Sequence, residues 1–216
     1  ETIAMAVNLL ALNVGNTRVQ IAAVVEEQVH GVRSVDPNQS DALREAIERA
    51  AEVLGEADEA VIFVASVNNL VAERVIETAR EVLDRPVQLA ERDVNVPVGR
   101  QLDPESLVGV DRLLNAAAAY DTAQQACVVV DAGTAVTIDF VDGEGTFHGG
   151  AIMPGVQMML GALDEKTAQL PEVRFRPPTE PIGHNTAEAM LTGVFHGVRG
   201  AVRELTEKYA EQYGAY

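Results

Sequence analysis

Tryptophan is missing from this sequence, and aromatic residues make up only 4% of it. A core must then come from the Ala, Val, Leu and Gly that dominate, which suits packed sheets and helices rather than an aromatic β-sandwich. A single cysteine, Cys127, excludes an intramolecular disulfide and any multi-cysteine metal site. It lies in the run Ala126-Cys127-Val128-Val129-Val130, where a small buried hydrophobe is the expected role. Positive charge is scarce: 16 Lys and Arg stand against 33 Asp and Glu, a net charge of −17. Phosphate backbones reward cationic surfaces, so nucleic acid is excluded as a partner. An anionic ligand must instead be held by local N–H groups and cations. No apolar run approaches the roughly 20 residues of a membrane-spanning helix, and the first residues show neither the basic flank nor the cleavage pattern of a secretory signal. A cytoplasmic protein with no membrane partner is expected.

Several motifs are absent too. The four histidines (His30, His148, His184, His196) form no HExxH pattern, which argues against a transition-metal site. No Gly-x-Ser-x-Gly, no Walker A sequence and no Gly-x-Gly-x-x-Gly is present, so serine hydrolase, P-loop and Rossmann readings fall.

What is present is a pattern that begins twice. Leu9 to Val14 is an apolar strand ending in a glycine turn; Arg18 to Val25 and Val29 to Val35 read as two more strands. A helix follows, with Ser40 as its N-cap, Leu43, Ile47, Ala50 and Leu54 at helical spacing, and Gly55 as its stop. Val61 to Val64 and Val87 to Leu89 are short strands around a helical stretch from Ala72 to Leu83. Asp93 to Glu105, with two prolines, reads as a loop, and Ser106 to Tyr120 as a helix. Val128 to Val130 then starts a second set: Val136 to Val141, a turn at Asp142-Gly143-Glu144-Gly145, Thr146 to Ile152, a helix to about Leu170, and a long helix from Thr186 to Tyr213. Leu10-Ala11-Leu12-Asn13-Val14-Gly15-Asn16 aligns with Val128-Val129-Val130-Asp131-Ala132-Gly133-Thr134. Two such copies, about one domain apart, predict duplicated α/β domains at 1–118 and 119–216 that face each other.

The repeated hairpin carries a chemical expectation. A strand ending in a carboxylate or amide holds that group at a rigid sheet edge. A glycine two residues on lets the backbone turn tightly and approach a ligand. The following N–H groups, with a Thr or Asn side chain, can cradle phosphate oxygens, and a carboxylate can hold Mg²⁺ directly or through water. One Asp-x-Gly also serves an ordinary turn; a facing pair points to a triphosphate gripped from both sides. Gly109-Val110-Asp111-Arg112 precedes a helix. Asp111 is either a helix-start acid favoured by the dipole or a general base beside an anion-binding Arg, which phosphoryl transfer to an alcohol requires. Gly149 to Gly155 is a glycine-rich loop between strand and helix, or a helix start with Pro154 near its first position. Asn185 or Thr186 caps the last helix.

In this order, Asn13-Val14-Gly15-Asn16-Thr17, Gly109-Val110-Asp111-Arg112, Asp131-Ala132-Gly133-Thr134-Ala135, Gly149 to Gly155 and Ile182-Gly183-His184-Asn185-Thr186 resemble the motifs of type III pantothenate kinases, from about Leu9 to the end. The resemblance implies two ribonuclease-H-like (actin-like ATPase) domains with ATP in a central cleft. It also implies phosphorylation of pantothenate as the first step of coenzyme A synthesis, with Mg²⁺ and a monovalent cation (K⁺ or NH₄⁺), and a homodimer. By similarity, Asp111 is the base, Arg112 binds the pantothenate carboxylate and Gly109 shapes that pocket. Asn13, Gly15, Asn16 and Thr17 form the first phosphate loop. Gly133 and Thr134 belong to the second, with Asp131 at the monovalent-cation site, and Thr186 contacts pantothenate across the dimer. The family carries Asp where this chain has Asn13, which predicts weaker Mg²⁺ and phosphate organisation. The family also continues into a strand with a Thr-Gly-Gly motif and a further helix, beyond Tyr216, so the second domain is expected to be incomplete at its C-terminus. Two alternatives are a catalytically impaired homologue that binds or regulates, and a kinase of the same fold for another small hydroxyl acceptor.

Overall fold

Alternation sets the first strand: in β1 (Leu9–Val14), Leu10, Leu12 and Val14 are buried while the residues between them face the other side of the sheet. The computed structural model describes residues 8–55 and 60–214; the first residues, on which the signal-sequence reading rests, lie outside them. Among those described residues the chain divides into two units. The first runs to Pro97 and takes in Val108–Leu114; the second comprises Val98–Leu107 and the residues from Asn115 onward.

In the first unit β1 is central. It pairs antiparallel with β2 (Val19–Val25), which pairs with β3 (Gln28–Val35), and parallel with β4 (Val61–Ser66), which pairs with β5 (Val87–Leu89). The order β3-β2-β1-β4-β5 is that of a ribonuclease-H-like sheet. Parallel neighbours need crossovers, here α1 (Ser40–Leu54) and α2 (Asn69–Val82). Leu43, Ala46, Ile47, Ala50 and Leu54 of α1 and Ala72, Val75 and Ala79 of α2 pack against Leu10, Leu12, Val14, Ile21, Ile62 and Val64. Each large aliphatic side chain buried there contributes about 1.5–3 kcal/mol.

In the second unit β7 (Cys127–Ala132), β8 (Ala135–Val141) and β9 (Thr146–Pro154) form another antiparallel meander, with β6 (Gly99–Arg100) parallel to β9, in the order β6-β9-β8-β7. β8 is the buried middle strand, through Val136, Ile138, Phe140 and Val141. Helices α4 (Val156–Lys166) and α5 (Thr186–Tyr213) pack through Leu160, Met190 and Leu191. The first turn of α3 (Val110–Ala123) counts with the first unit and the rest with the second. The fold is thus mixed α/β with two sheets, and the meander that the sequence repeats is present in both.

Four local expectations are corrected. Ser40 is the first residue of α1 and not its cap; Gln39 occupies that position without a side-chain hydrogen bond. The segment read as loop contains β6, which pairs Gly99 with Thr146 and Arg100 with Phe147. The glycine-rich segment from Gly149 is mostly strand: Gly149 takes φ +87° next to a register shift opposite Asp139 and Val141, so a bulge absorbs the glycines without ending β9. The alignment of β7 with β1 implies equal burial, yet Val130, Asp131 and Ala132 are exposed, because among the described residues β7 pairs only with β8 whereas β1 has a strand on each side. Cys127, at the start of β7, is half-buried, and its burial pushes the thiol pKa up, which keeps it a poor nucleophile. No helix among the described residues is long and apolar enough to cross a membrane.

Candidate active site

The carboxyl ends of parallel strands are where α/β sheets leave room for ligands, and β1 and β4 end side by side, with Val14 opposite Ser66. The turn after β1 closes when the Gly15 N–H donates to Arg18 O at 2.9 Å. Gly15 does not take a positive φ. Its lack of a side chain matters for another reason: a Cβ there would sit 3.2 Å from Arg18 O. Asn13 points to the exposed side, where its Nδ2 donates to Gln20 Oε1 at 3.1 Å, across the β1–β2 register pair. That bond does not use its amide oxygen. Asn16 and Thr17 are exposed on the same turn.

The turn after β4 is built against this one. Val67 N–H donates to Val14 O at 3.1 Å, and Asn68 Nδ2 donates to Asn16 Oδ1 at 3.4 Å. Asn68 also caps α2 by accepting from Val71 N at 3.3 Å. Nothing in the sequence pattern singled out Asn68; the available signal is an Asn four residues before the helical stretch that starts at Ala72.

Gly109 and Asp111 lie at the start of α3 in the same unit. The Asp111 carboxylate folds back and accepts from the Arg112 N–H at 2.8 Å. A Cβ at Gly109 would lie 2.5 Å from Asp111 Oδ1 and 3.5 Å from Val67 Cγ1. Gly109 is thereby required for the carboxylate to lie where it does, and the start of α3 lies close to the β4–α2 turn at Val67. Within the first unit the fold therefore gathers Asn16, Asn68, Gly109 and Asp111 around neighbouring turns. A groove of about 1150 Å³ along α2, lined by Ala72, Ile76, Arg80, Val87 and Glu91 among others, contains none of the predicted site residues.

In the second unit the turn between β7 and β8 has the Gly133 N–H donating to Ala135 O at 2.9 Å. A Cβ on Gly133 would meet nothing closer than 3.9 Å and its φ is not positive, so the tight-turn reason for this glycine does not hold. Gly155 is the constrained one. It donates to Thr134 O at 2.9 Å, and a Cβ on it would fall 2.3 Å from Gly133 O and 2.4 Å from Thr134 O. The end of β9 thus rests on the β7–β8 turn. Asp131 is exposed, with Oδ2 accepting from Asn115 Nδ2 at 3.0 Å; Asn115 is a second residue that the motifs did not reveal. At the start of α5, Asn185 and not Thr186 is the cap, accepting from Glu188 N at 3.0 Å, and Thr186 is exposed one residue on. A pocket of about 270 Å³ beside this helix start is lined by Arg176, Thr179, His184 and Thr192. Among the described residues no three His, Cys, Asp or Glu side chains form a metal-binding group.

Comparison with known proteins identifies relatives of the chain. A family model described as type III pantothenate kinase matches residues 9–208. A protein of that name from Dehalococcoides mccartyi (strain CBDB1) is 33% identical over 214 residues, which cover 95% of this chain and 80% of the relative. One from Rhodospirillum rubrum is 42% identical over 130 residues, 60% of this chain and 51% of the relative. In comparisons of the latter kind the chain spans about half the length of the curated relatives it matches. Among solved structures, a Baf-family protein from Campylobacter jejuni superposes with a TM-score of 0.57 at 20% identity, over 91% of this chain and 78% of that one, and shares the fold.

Proposed function

The chain belongs to the type III pantothenate kinase family, and from that premise we propose that the protein transfers the γ-phosphoryl group of ATP to the terminal hydroxyl of pantothenate. The products are ADP and 4′-phosphopantothenate, and the step opens coenzyme A synthesis. One observation carries the reading: Asp111 is held at the start of α3 by its own helix amide, over a glycine that leaves it room, with Arg112 beside it.

The proposed roles follow from the chemistry of each group. Asp111 accepts the proton of the acceptor hydroxyl as its oxygen bonds to the γ-phosphorus and the bond to the ADP oxygen breaks; a base within hydrogen-bond reach is what this step asks of a protein. Arg112, a planar fork of donors, suits the pantothenate carboxylate. Asn16 and Thr17 in the first unit, and Thr134 in the second, bind phosphate through amide and hydroxyl donors; Gly15 and Gly133, whose own N–H groups close their turns, let the backbone approach the phosphates, and Asn13 serves them through the cation it would hold. Gly109 shapes the acceptor pocket, and Thr186, exposed at the start of α5, contacts pantothenate from the other protomer of a homodimer.

The donor set is compatible with the two cations the family uses. Hard cations take oxygen ligands. Gln20 engages the Asn13 amide nitrogen and not its oxygen, and Asp131 keeps one carboxylate oxygen beyond its bond to Asn115. Asn13 would hold Mg²⁺ as a neutral ligand, with water and phosphate oxygens completing the set, and Asp131 would hold K⁺ or NH₄⁺. Bound there, the cations neutralise phosphate charge. A cytoplasmic location goes with this metabolic role.

The test is product identification: ATP, Mg²⁺, K⁺ and pantothenate incubated with the protein should yield 4′-phosphopantothenate by mass spectrometry. Phosphorylation of other small hydroxy acids but not of pantothenate would move the acceptor assignment elsewhere.

A further inference from the structure

Resting on the kinase reading above, we propose that Asn68 is a positioning residue for phosphate binding: it fixes the amide of Asn16 so that Asn16 presents its NH₂ to the nucleotide.

The backbone of Asn68 is pinned first. Its N–H donates to Ser66 Oγ at 3.0 Å, and that hydroxyl donates back to Asn68 O at 3.0 Å. Its side chain is pinned next, since Oδ1 accepts from Val71 N as the cap of α2. An amide whose oxygen is committed has one other thing to offer, its NH₂, and this reaches Asn16 Oδ1 at 3.4 Å. The neighbouring bond from Val67 N–H to Val14 O keeps the two turns in step.

The consequence falls on Asn16. Amide oxygen and nitrogen diverge from one carbon, so engaging the oxygen with Asn68 leaves the nitrogen as the outward group. A donor there favours phosphate; the flipped amide would set an acceptor against phosphate oxygens. Orientation matters more than usual here because the chain as a whole carries a charge of −17 and has to attract an anion through local donors.

Capping alone does not require asparagine at this place, because Ser and Asp cap a helix about as well. That separates the two roles. Asn68→Ser retains a capping oxygen, removes the amide donor and adds no charge. Its melting temperature should match that of the wild type. Its KM for ATP should rise about tenfold, the scale of one hydrogen bond to a charged group, with kcat within about twofold of the wild type. In the ligand-free protein the side-chain amide resonances of Asn16, assigned through their loss in Asn16→Ser, should shift in Asn68→Ser. Unchanged KM in Asn68→Ser, or Asn16 resonances that do not move, would overturn the inference while leaving the kinase reading intact. A wild-type protein that binds no ATP would overturn both.

Discussion

Gly109 owes its place to a distance: the carboxylate oxygen of Asp111 lies 2.5 Å from where any Cβ at position 109 would stand. Gly109→Ala therefore has to push the carboxylate aside, and since the obstructing atom ends a short side chain, the fold can accommodate it. Turnover should fall by tenfold or more, on the scale of about 10²–10⁴ for a displaced general base, with the melting temperature within a few degrees of the wild type. A variant with normal turnover would show that this carboxylate position is not the working one. The sequence made Gly109 and Asp111 visible as a motif; the tight turn expected at Gly15 is present, closed by its N–H on Arg18 O, whereas no neighbour lies close enough to Gly133 to require a glycine there. Asn68 and Asn115 were invisible because their work is done through partners 52 and 16 positions away, and side-chain pairing over such separations leaves no local pattern.

Elements were more legible than contacts. Strands with clean alternation or continuous apolar runs, such as β1, β5 and β8, fell where periodicity put them, and so did α5. Failures came where pairing partners decide the outcome: β6 has two residues and exists because β9 is beside it, and β9 runs on through glycines because a bulge absorbs them. α5 supports a stability test. Asn185 accepts from Glu188 N, and Glu188 accepts from His184 N at 3.1 Å, so Asn185→Ala should cost about 1 kcal/mol and lower the melting temperature by about 2–4 °C. A change under 1 °C would mean that the long helix is fixed by packing alone.

The β8–β9 turn supports another. Burial pushes the Asp142 carboxyl up, but the hydrogen bond to His148 at 2.7 Å, the amides of Thr146 and Glu144, and the His148 charge outweigh it and hold the carboxyl below its ordinary value. A depressed native pKa means that the unfolded chain takes up the proton first as pH falls. The stabilisation is complete above the unfolded value of about 3.9 and disappears as pH falls through the lower native value. Asp142→Asn should melt lower than the wild type at pH 6, and the gap should narrow towards pH 3. A gap constant across that range would contradict the linkage.

At the scale of the molecule, the repetition seen in the sequence is a repetition of meanders, β1-β2-β3 and β7-β8-β9, one in each unit. Surroundings distinguish the copies: β1 has β4 along its second edge, and β7 has no such neighbour among the described residues. Burial depends on what lies next to a strand, which is why two runs of equal apolarity differ in exposure. The duplication and the family followed from ordered short motifs; the units' limits depend on β6 pairing with β9, which composition does not reveal. The most direct measurement is ADP release with and without pantothenate, for the wild type and for Asp111→Asn, in ATP, Mg²⁺ and K⁺. Release that depends on pantothenate in the wild type and is about 10²–10⁴-fold slower in the variant is the predicted result. Release indifferent to pantothenate, or equal in the two proteins, would contradict Asp111 as the base of a pantothenate kinase.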